Sequence, residues 1–410
     1  MSEISSTGAA RSPDAADRAT PHLVRAPYPR RAVPTVIVIG DRMEAGDAPA
    51  DLPCGPVADN DAGGIMPDAR DRLVVEGGYL ERLPLALVKA GIVDRAEIWH
   101  HRTGRGDARI ATASPLLVRR TFRASGPAAP IASDAMLAHL AEHGAPDILI
   151  VFGLGVDAAI LDACAGSVLI YNSIDAPALR IPDALAQRFD LILTGAQWQS
   201  DVVAARAPGV ATLILPVGPE FAAIDQFRPL GTDKPYDLIY VAAAQPYKRH
   251  DILFDALAQL PRSVRALCVF GYGEMAEMLR DRAAADGLSV DFIGPPGVPF
   301  DAVNRLMNSA RIGVVCGIDD GAPAILTEYM LAGLPVLANE ALSCGLQFVL
   351  PETGAVASAD GFAQGIVDLL ARADTLHPRD AVLARWTWPH SVRRIAGAVA
   401  AARAKKRRAD

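Results

Sequence analysis

Residues 312–339, IGVVCGIDDGAPAILTEYMLAGLPVLAN, decide the fold of this chain. The run 312–316 is apolar and rich in β-branched residues, which predicts a buried strand. After a short acidic loop, Pro323 stands at the first position of a predicted helix, where proline is tolerated. Gly333 ends that helix, and residues 336–338 predict the next strand. This order of strand, loop, helix and strand is typical of a parallel sheet covered by helices.

Two carboxylates belong to this stretch. Glu328 is the one charged residue inside the predicted helix, and a buried carboxylate is costly unless it is paired or hydrogen-bonded. Asp320 stands eight positions earlier, in the loop that precedes the helix. A ligand that lies across a helix N-terminus, at the carboxyl end of a parallel sheet, meets groups in both places. The alternative is a structural buried glutamate in a doubly wound domain.

The composition limits the possible function classes. A length of 410 residues suits two domains, and 51% hydrophobic with 21% charged residues excludes global disorder. A formal net charge of −7 argues against a nucleic-acid partner. Five scattered cysteines without metal-ligand spacing predict a reducing compartment. Because neither a spanning apolar segment nor a secretory signal is found, we expect a cytoplasmic protein.

The chain alternates twice between predicted strands and helices. Residues 1–32 lack hydrophobic periodicity and predict a flexible N-terminal arm. Residues 33–220 and 221–385 each predict a Rossmann-like α/β domain, and 386–410 predict a C-terminal helix. Strands are predicted at 33–40, 96–101, 116–122, 147–152, 168–172, 191–194 and 211–215 in the first domain, and at 238–242, 266–270, 290–293, 312–316 and 336–338 in the second.

The acidic stretch resembles the motif of the retaining family-four glycosyltransferases of the GT-B fold. That motif is Glu, seven residues and Glu, followed by a small-residue helix and a Gly-x-Pro-Val turn. It stands here as Asp320 to Glu328 and then 332–336 (AGLPV), with Asp replacing the first Glu. Segments 190–199 and 215–229 are also similar to the family. The resemblance implies two Rossmann-like domains that face each other across a cleft, with the C-terminal helix packing back on the first domain.

The resemblance also implies a nucleotide-sugar donor and a role for each matching residue. Glu328 would accept hydrogen bonds from the ribose hydroxyls, and Asp320 would hold hydroxyls of the transferred sugar. Lys248 matches the family lysine that grips the donor diphosphate, a task that suits a point cation. The backbone N–H groups that would meet the sugar and phosphate belong to Gly321, Ala322 and Ala324.

The phosphate-binding region departs from the family in one respect. The family arginine is Ala243 here, while Arg249 stands where glycine is usual. Arg249 either supplies the missing guanidinium or is a solvated charge at the start of a helix. Gly77 and Gly78 match a glycine-rich turn that lets backbone approach the pyrophosphate, with a plain turn as the alternative. Gly271 belongs to a second glycine turn of family type.

Further candidate residues belong to the acceptor side. Asp175 is a candidate for contact with the acceptor or sugar, and a loop or capping aspartate is the alternative. His100 and His101 end a predicted strand, so at most one of them faces the cleft. The basic segment 403–408 (RAKKRR) predicts either peripheral contact with an anionic membrane or a solvated helix terminus.

The resulting hypothesis is a cytoplasmic, retaining glycosyltransferase of polysaccharide or cell-envelope biosynthesis. It would use a nucleotide-sugar donor, a glycan or lipid-linked acceptor, and neither a cofactor nor a metal. One alternative is a non-catalytic relative that binds a nucleotide sugar or a glycan partner. The other is a sugar-nucleotide epimerase, which the acidic motif fits poorly.

Overall fold

The computed structural model describes residues 28–44, 78–104, 109–114, 116–173 and 176–409, and it contains two sheets covered by helices. The fold is therefore α/β with two Rossmann-like domains, as predicted.

The first sheet is parallel except at one edge. Its strands are β1 (Thr35–Glu44), β2 (Arg95–Arg102), β3 (Arg109–Ser114), β4 (Leu117–Arg123), β5 (Ile148–Phe152), β6 (Val168–Asn172), β7 (Leu191–Thr194) and β8 (Ala211–Ile214). Their order is β3-β4-β2-β1-β5-β6-β7-β8, and only β3 and β4 pair in antiparallel fashion. Its helices are α1 (Arg82–Lys89), α2 (Asp134–His143), α3 (Ala158–Ala163), α4 (Asp183–Ala186) and α5 (Gln197–Arg206). Strands β3 and β14 were not predicted, because their sequences, RIATAS and GAVA, are short and consist mostly of small or polar residues.

Alternate residues of β1 supply two separate cores. Val36 and Val38 pack into the core on one face of the sheet, while Ile37 and Ile39 pack into the core on the other. This follows from the two-residue period of a strand whose faces are both covered by helices.

The sequence predicts a helix over 79–90 in which Pro84 either causes a kink or delays the start, and the structure shows the delayed start. A 3₁₀ turn at Tyr79–Glu81 precedes α1, so the helix starts at Arg82 instead of Tyr79. Pro84 therefore falls in the first turn, where the missing N–H costs no helical hydrogen bond. The delayed start makes Arg82 the first helical residue.

The second sheet is entirely parallel and reverses its strand order at the centre. Its strands are β9 (Tyr236–Val241), β10 (Ala266–Val269), β11 (Val290–Ile293), β12 (Ala310–Val315), β13 (Val336–Asn339) and β14 (Gly354–Ala357), in the order β11-β10-β9-β12-β13-β14. The remaining helices are α6 (Val217–Glu220), α7 (His250–Gln259), α8 (Ala276–Ala285), α9 (Phe300–Asn308), α10 (Ile325–Leu331), α11 (Phe362–Arg372), α12 (Pro378–Arg385) and α13 (Trp388–Ala409). In such sheets, ligands bind at the carboxyl ends of the strands where the order reverses, which here is between β9 and β12.

Helix α10 is held firmly against that reversal point. The hydroxyl of Tyr329 accepts a hydrogen bond from Val241 N at 2.7 Å and donates to Ile239 O at 3.2 Å. The Tyr329 ring occupies the space above Gly313, where an added Cβ would lie 2.4 Å from the ring. The glycine in β12 therefore allows the helix to pack closely against the sheet.

Helix α13 packs back on the first domain. Val392, Ile395 and Val399 are buried in the same core as Leu83 and Leu87 of α1. One face of this helix thus completes a core whose other members come from the first 221 residues.

Replacing Ile395 by Ala tests this packing. The side chain is fully buried, so its truncation is expected to lower the free energy of unfolding by about 2–5 kcal/mol. Gly397 lies on the exposed side of the same helix with open space at its Cβ, so Gly397→Ala is expected to raise it by ~0.5–1 kcal/mol. Urea unfolding of both variants measures the difference, and equal effects of the two changes would contradict the packing.

Two histidines are buried without hydrogen-bond partners. Neither ring nitrogen of His101 or His250 has a partner in the described ranges of the chain. Burial lowers the pKa of His250 to about 4, and the nearby Lys248 charge acts in the same direction. Burial likewise lowers the pKa of His101 to about 4, and His100 adds to this shift. The folded state therefore takes up these protons at a lower pH than the unfolded state does.

The fold is accordingly expected to lose stability as the pH falls from about 6.5 toward 4, since the unfolded chain binds those protons first. His250→Phe removes one of these proton-binding groups. The free energy of unfolding should then fall less steeply with decreasing pH, by up to ~1.4 kcal/mol per pH unit. Urea unfolding of the variant and of the unchanged protein, repeated between pH 7.5 and 5, measures this dependence. A His250→Phe slope equal to that of the unchanged protein would contradict the expectation.

Candidate active site

A cavity of about 260 Å³ lies between the two domains at the carboxyl ends of β6, β9 and β12. The first domain contributes Asn172 and Ser173 to its lining, and the segment between β8 and β9, called the connection below, contributes Pro216, Val217 and Gly218. The second domain contributes Tyr247, Tyr272, Asp320, Gly321, Ala322, Pro323 and Ala324. The predicted acidic loop therefore forms one wall of this interdomain cavity.

The acidic loop has a defined backbone conformation. Gly321 forms an isolated parallel bridge with Cys344, and Ser343 N donates to Ile318 O at 2.8 Å. Ala322 adopts a φ of 68°, a left-handed conformation that is uncommon for a residue other than glycine. Such strained backbone is concentrated at functional sites. Helix α10 begins at Ile325, after Ala324 at its N-cap, and not at Pro323 as the sequence predicted.

Lys248 and Asp320 form an ion pair at the cavity. Lys248 Nζ donates a hydrogen bond to Asp320 Oδ2, and the two side chains are 15% and 13% exposed. The Tyr247 ring lies 5.0 Å from Lys248 Nζ, and the Tyr240 hydroxyl donates to Lys248 O at 2.6 Å. The loops after β9 and β12 thus bring together a cation and a carboxylate that lie 72 positions apart in the sequence.

Glu328 pairs with a residue of the other domain. Arg82 Nη2 donates to Glu328 Oε1, and Arg82 Nη1 donates to Gly218 O at 2.5 Å. Sequence analysis did not identify Arg82. Its signal was the charged pair Glu81-Arg82 at the start of a mostly apolar helix, with Gly78 three positions before Glu81.

Other polar contacts cross between the domains beside the cavity. Gln347 Nε2 donates to Gly195 O at 2.8 Å, and Trp198 Nε1 donates to Ser343 O at 2.7 Å. Thr327 Oγ1 donates to Pro219 O at 2.9 Å, which ties α10 to the connection between the domains.

Arg249 lies outside the cavity lining. Its φ is 50°, which explains why glycine suits this position, and its guanidinium holds both carboxylate oxygens of Asp251 at 2.6–3.0 Å. The Arg249 hydrogen bonds lower the pKa of Asp251. Ala243 is buried, so the side chain at the family arginine position is a methyl group.

The remaining predicted residues are distributed as follows. Gly78 has a φ of 90° and precedes the turn into α1, whereas Gly77 and Asp175 lie outside the described residues. Gly271 immediately precedes Tyr272, whose exposed ring lines the cavity. His100 and His101 are both buried.

The basic segment at the end of α13 lies away from the cavity. Lys406 Nζ donates to Ala165 O at 2.9 Å and lies 3.1 Å from Asp190, residues that precede β6 and β7. Asn172 and Ser173 of the cavity stand at the opposite end of β6. The basic segment therefore lies beside the amino-terminal ends of the strands of the first sheet.

Two features are absent from the described residues. These residues contain no group of three or more His, Cys, Asp or Glu residues arranged to hold a metal ion. In the same residues, no helix combines the length and the apolar character needed to cross a bilayer.

Residues 223–377 match the family model of glycosyl transferases group 1. No curated protein matches this chain.

Among solved structures, the chain is similar to sucrose-phosphate synthase from Thermosynechococcus elongatus, at 16% identity and a TM-score of 0.64, with 89% of this chain and 98% of that chain covered. It is also similar to HepE of Anabaena in complex with UDP and glucose, at 16% identity and a TM-score of 0.59, with 90% and 99% covered. A third similar structure is the apo lipopolysaccharide outer core galactosyltransferase WaaB, at 14% identity and a TM-score of 0.57, with 90% and 99% covered. The chain therefore has the GT-B fold, and residues 223–377 of its second domain are similar to the glycosyl transferases group 1 family.

Proposed function

We propose that this protein is a retaining glycosyltransferase that moves a sugar from a nucleoside diphosphate donor to a glycan or other glycoconjugate acceptor. The observation that carries the proposal is the ion pair between Lys248 and Asp320, of which Asp320 lines the interdomain cavity and Lys248 directly follows Tyr247 of the lining. A cation suited to phosphate and a carboxylate suited to sugar hydroxyls stand side by side there, at the strand-order reversal where α/β sheets bind ligands.

In the proposed donor complex, each group of the second domain has a separate task. Lys248 binds the diphosphate, Asp320 accepts hydrogen bonds from the sugar, and Glu328 accepts them from the ribose. Backbone N–H groups of the 321–324 loop face the sugar and phosphate, except at Pro323, which has none.

The proposed chemistry depends on positioning. In a retaining transfer on one face of the sugar, the leaving phosphate helps to deprotonate the acceptor hydroxyl, so the protein needs no base of its own at that oxygen. Lys248 would stabilise the negative charge that develops on the leaving diphosphate. The first-domain wall at Asn172 and Ser173 would hold the acceptor, together with Asp175 two residues later.

One observation favours a second candidate function. Ala243 replaces the family arginine, and the guanidinium of Arg249 is bound by Asp251. From the loops after β9 and β12, the donor diphosphate would therefore meet one described cation, Lys248. A relative that binds a nucleotide sugar without transferring it would need less charge stabilisation at the phosphates than an enzyme does.

Lipid-linked acceptors remain within the proposed acceptor class, but the basic segment of α13 does not support their delivery. It lies beside the amino-terminal ends of the strands of the first sheet, whereas the cavity lies at their carboxyl ends. A membrane bound at that edge would face away from the proposed site of transfer.

Lys248→Met tests the diphosphate assignment. Loss of a charge-assisted hydrogen bond is expected to weaken nucleoside diphosphate binding by about 10–100-fold. Calorimetric titration with UDP, GDP and ADP measures the change, after a thermal-shift screen has identified which of them binds. The control is Lys405→Met, which removes an exposed lysine of α13 and should leave the affinity unchanged. Equal affinities of Lys248→Met and the unchanged protein would refute the role of Lys248.

The stereochemistry of the product tests the reaction. The anomeric proton coupling of the product, measured by NMR, is expected to report the same configuration as the donor. Asp320→Asn should slow the transfer while the protein remains folded, because the amide accepts fewer hydrogen bonds from sugar hydroxyls. An inverted product would exclude the retaining mechanism. Tight donor binding without any transfer across an acceptor panel would favour the non-catalytic candidate.

A further inference from the structure

Arg82 is a buried cation with two acceptors from different parts of the chain. Its residue exposure is 1%, so its charge is removed from water and requires close partners. One partner is the carboxylate of Glu328 in the second domain, and the other is the carbonyl of Gly218 in the connection. Arg82 therefore joins the first domain, the connection and α10 in one network.

The helix that carries Glu328 is fixed on both sides of that residue. Thr327 donates to Pro219 O, and the Tyr329 hydroxyl is held by the backbone of β9. The segment before the helix is also confined, since a Cβ on Gly218 would lie 3.0 Å from Ala324 Cβ. Because the backbone is fixed, the direction of the Glu328 carboxylate depends on its side-chain partner.

Glu328 keeps capacity for a ligand while it is paired. Arg82 binds Oε1, and Glu328 has no second side-chain hydrogen bond within the described part of the chain. The Glu328 side chain stays about one-tenth exposed and lies one helical turn beyond Ala324, which lines the cavity. An ionised carboxylate has acceptor sites for more than one donor, so Oε2 remains available.

Arg82 itself is poorly placed to bind a phosphate. It is almost fully buried, and two of its nitrogens already donate to protein acceptors. Its influence on a bound nucleotide would therefore pass through the orientation of Glu328.

We propose that Arg82 is a positioning residue of the ribose subsite. It holds Glu328 Oε1 from across the domain boundary, so that the remaining oxygen is aimed at the ribose hydroxyls of the donor. The ribose subsite is thus built by both domains, and it is complete only when the first domain is seated on α10. This inference rests on the proposed nucleotide-sugar function.

The test compares ribonucleotides with their deoxy forms. Calorimetric titration with UDP, GDP and ADP, and with the 2′- and 3′-deoxy forms of whichever binds, gives the preference for ribose hydroxyls. The unchanged protein is expected to prefer the ribonucleotide by about tenfold or more. Arg82→Leu should reduce that preference to within about threefold, and Arg82→Lys should give an intermediate value because an ammonium group lacks the two-pronged geometry.

Gln347→Ala is the matched control. It removes another hydrogen bond between the domains, from Gln347 Nε2 to Gly195 O, without touching Glu328. Its preference for ribose should equal that of the unchanged protein, even if all its affinities fall together. If Arg82→Leu does not fold, Arg82→Lys carries the comparison.

The possible results are distinguishable. A reduced preference in the Arg82 variants with an unaltered preference in Gln347→Ala supports the proposal. An unaltered preference in the folded Arg82 variants overturns it and leaves the proposed function intact. Failure of the unchanged protein to bind any nucleoside diphosphate overturns the proposed function, and the inference with it.

Discussion

The arrangement of the two domains depends on the burial of one carboxylate in a helix that cannot move. Tyr329 anchors α10 to β9 and fills the space that Gly313 leaves in β12. Glu328 is therefore held mostly out of water, and its charge requires a partner beside it. Arg82 of the first domain supplies that partner. Removing one member of such a pair costs roughly 3–5 kcal/mol, because it leaves the other charge buried alone.

The two ion pairs near the cavity have different characters. Arg82–Glu328 is almost fully buried and joins two domains, so it acts as part of the framework. Lys248–Asp320 lies within one domain, with Asp320 in the cavity wall and both side chains partly exposed. In the proposed donor complex, a phosphate replaces Asp320 beside Lys248, and sugar hydroxyls replace Lys248 beside Asp320. The exchange keeps each charge hydrogen-bonded, which limits the cost of separating the pair.

Much of this arrangement was predictable because its determinants are local in sequence. Apolar runs bounded by glycine and proline marked most strands of both sheets, and the loops that carry Lys248 and Asp320 follow two such runs. Strand β3 was missed because pairing with β4, rather than its own composition, makes it a strand. Arg82 was missed because its partner lies 246 positions away in another domain. The left-handed conformation of Arg249 was indicated only by the glycine that is usual at this position, whereas the contact of its guanidinium with Asp251 was not predicted.

The packing of α13 affects the order in which the protein can fold during translation. Ile395 and Val399 complete the core beneath β1 and α1, yet the ribosome makes them after the entire second domain. Part of the apolar surface of the first domain therefore stays exposed to solvent while the second domain is being synthesised. The second domain has its strands and covering helices in one continuous stretch of the chain. It can therefore become compact before the first domain does, although it is synthesised later.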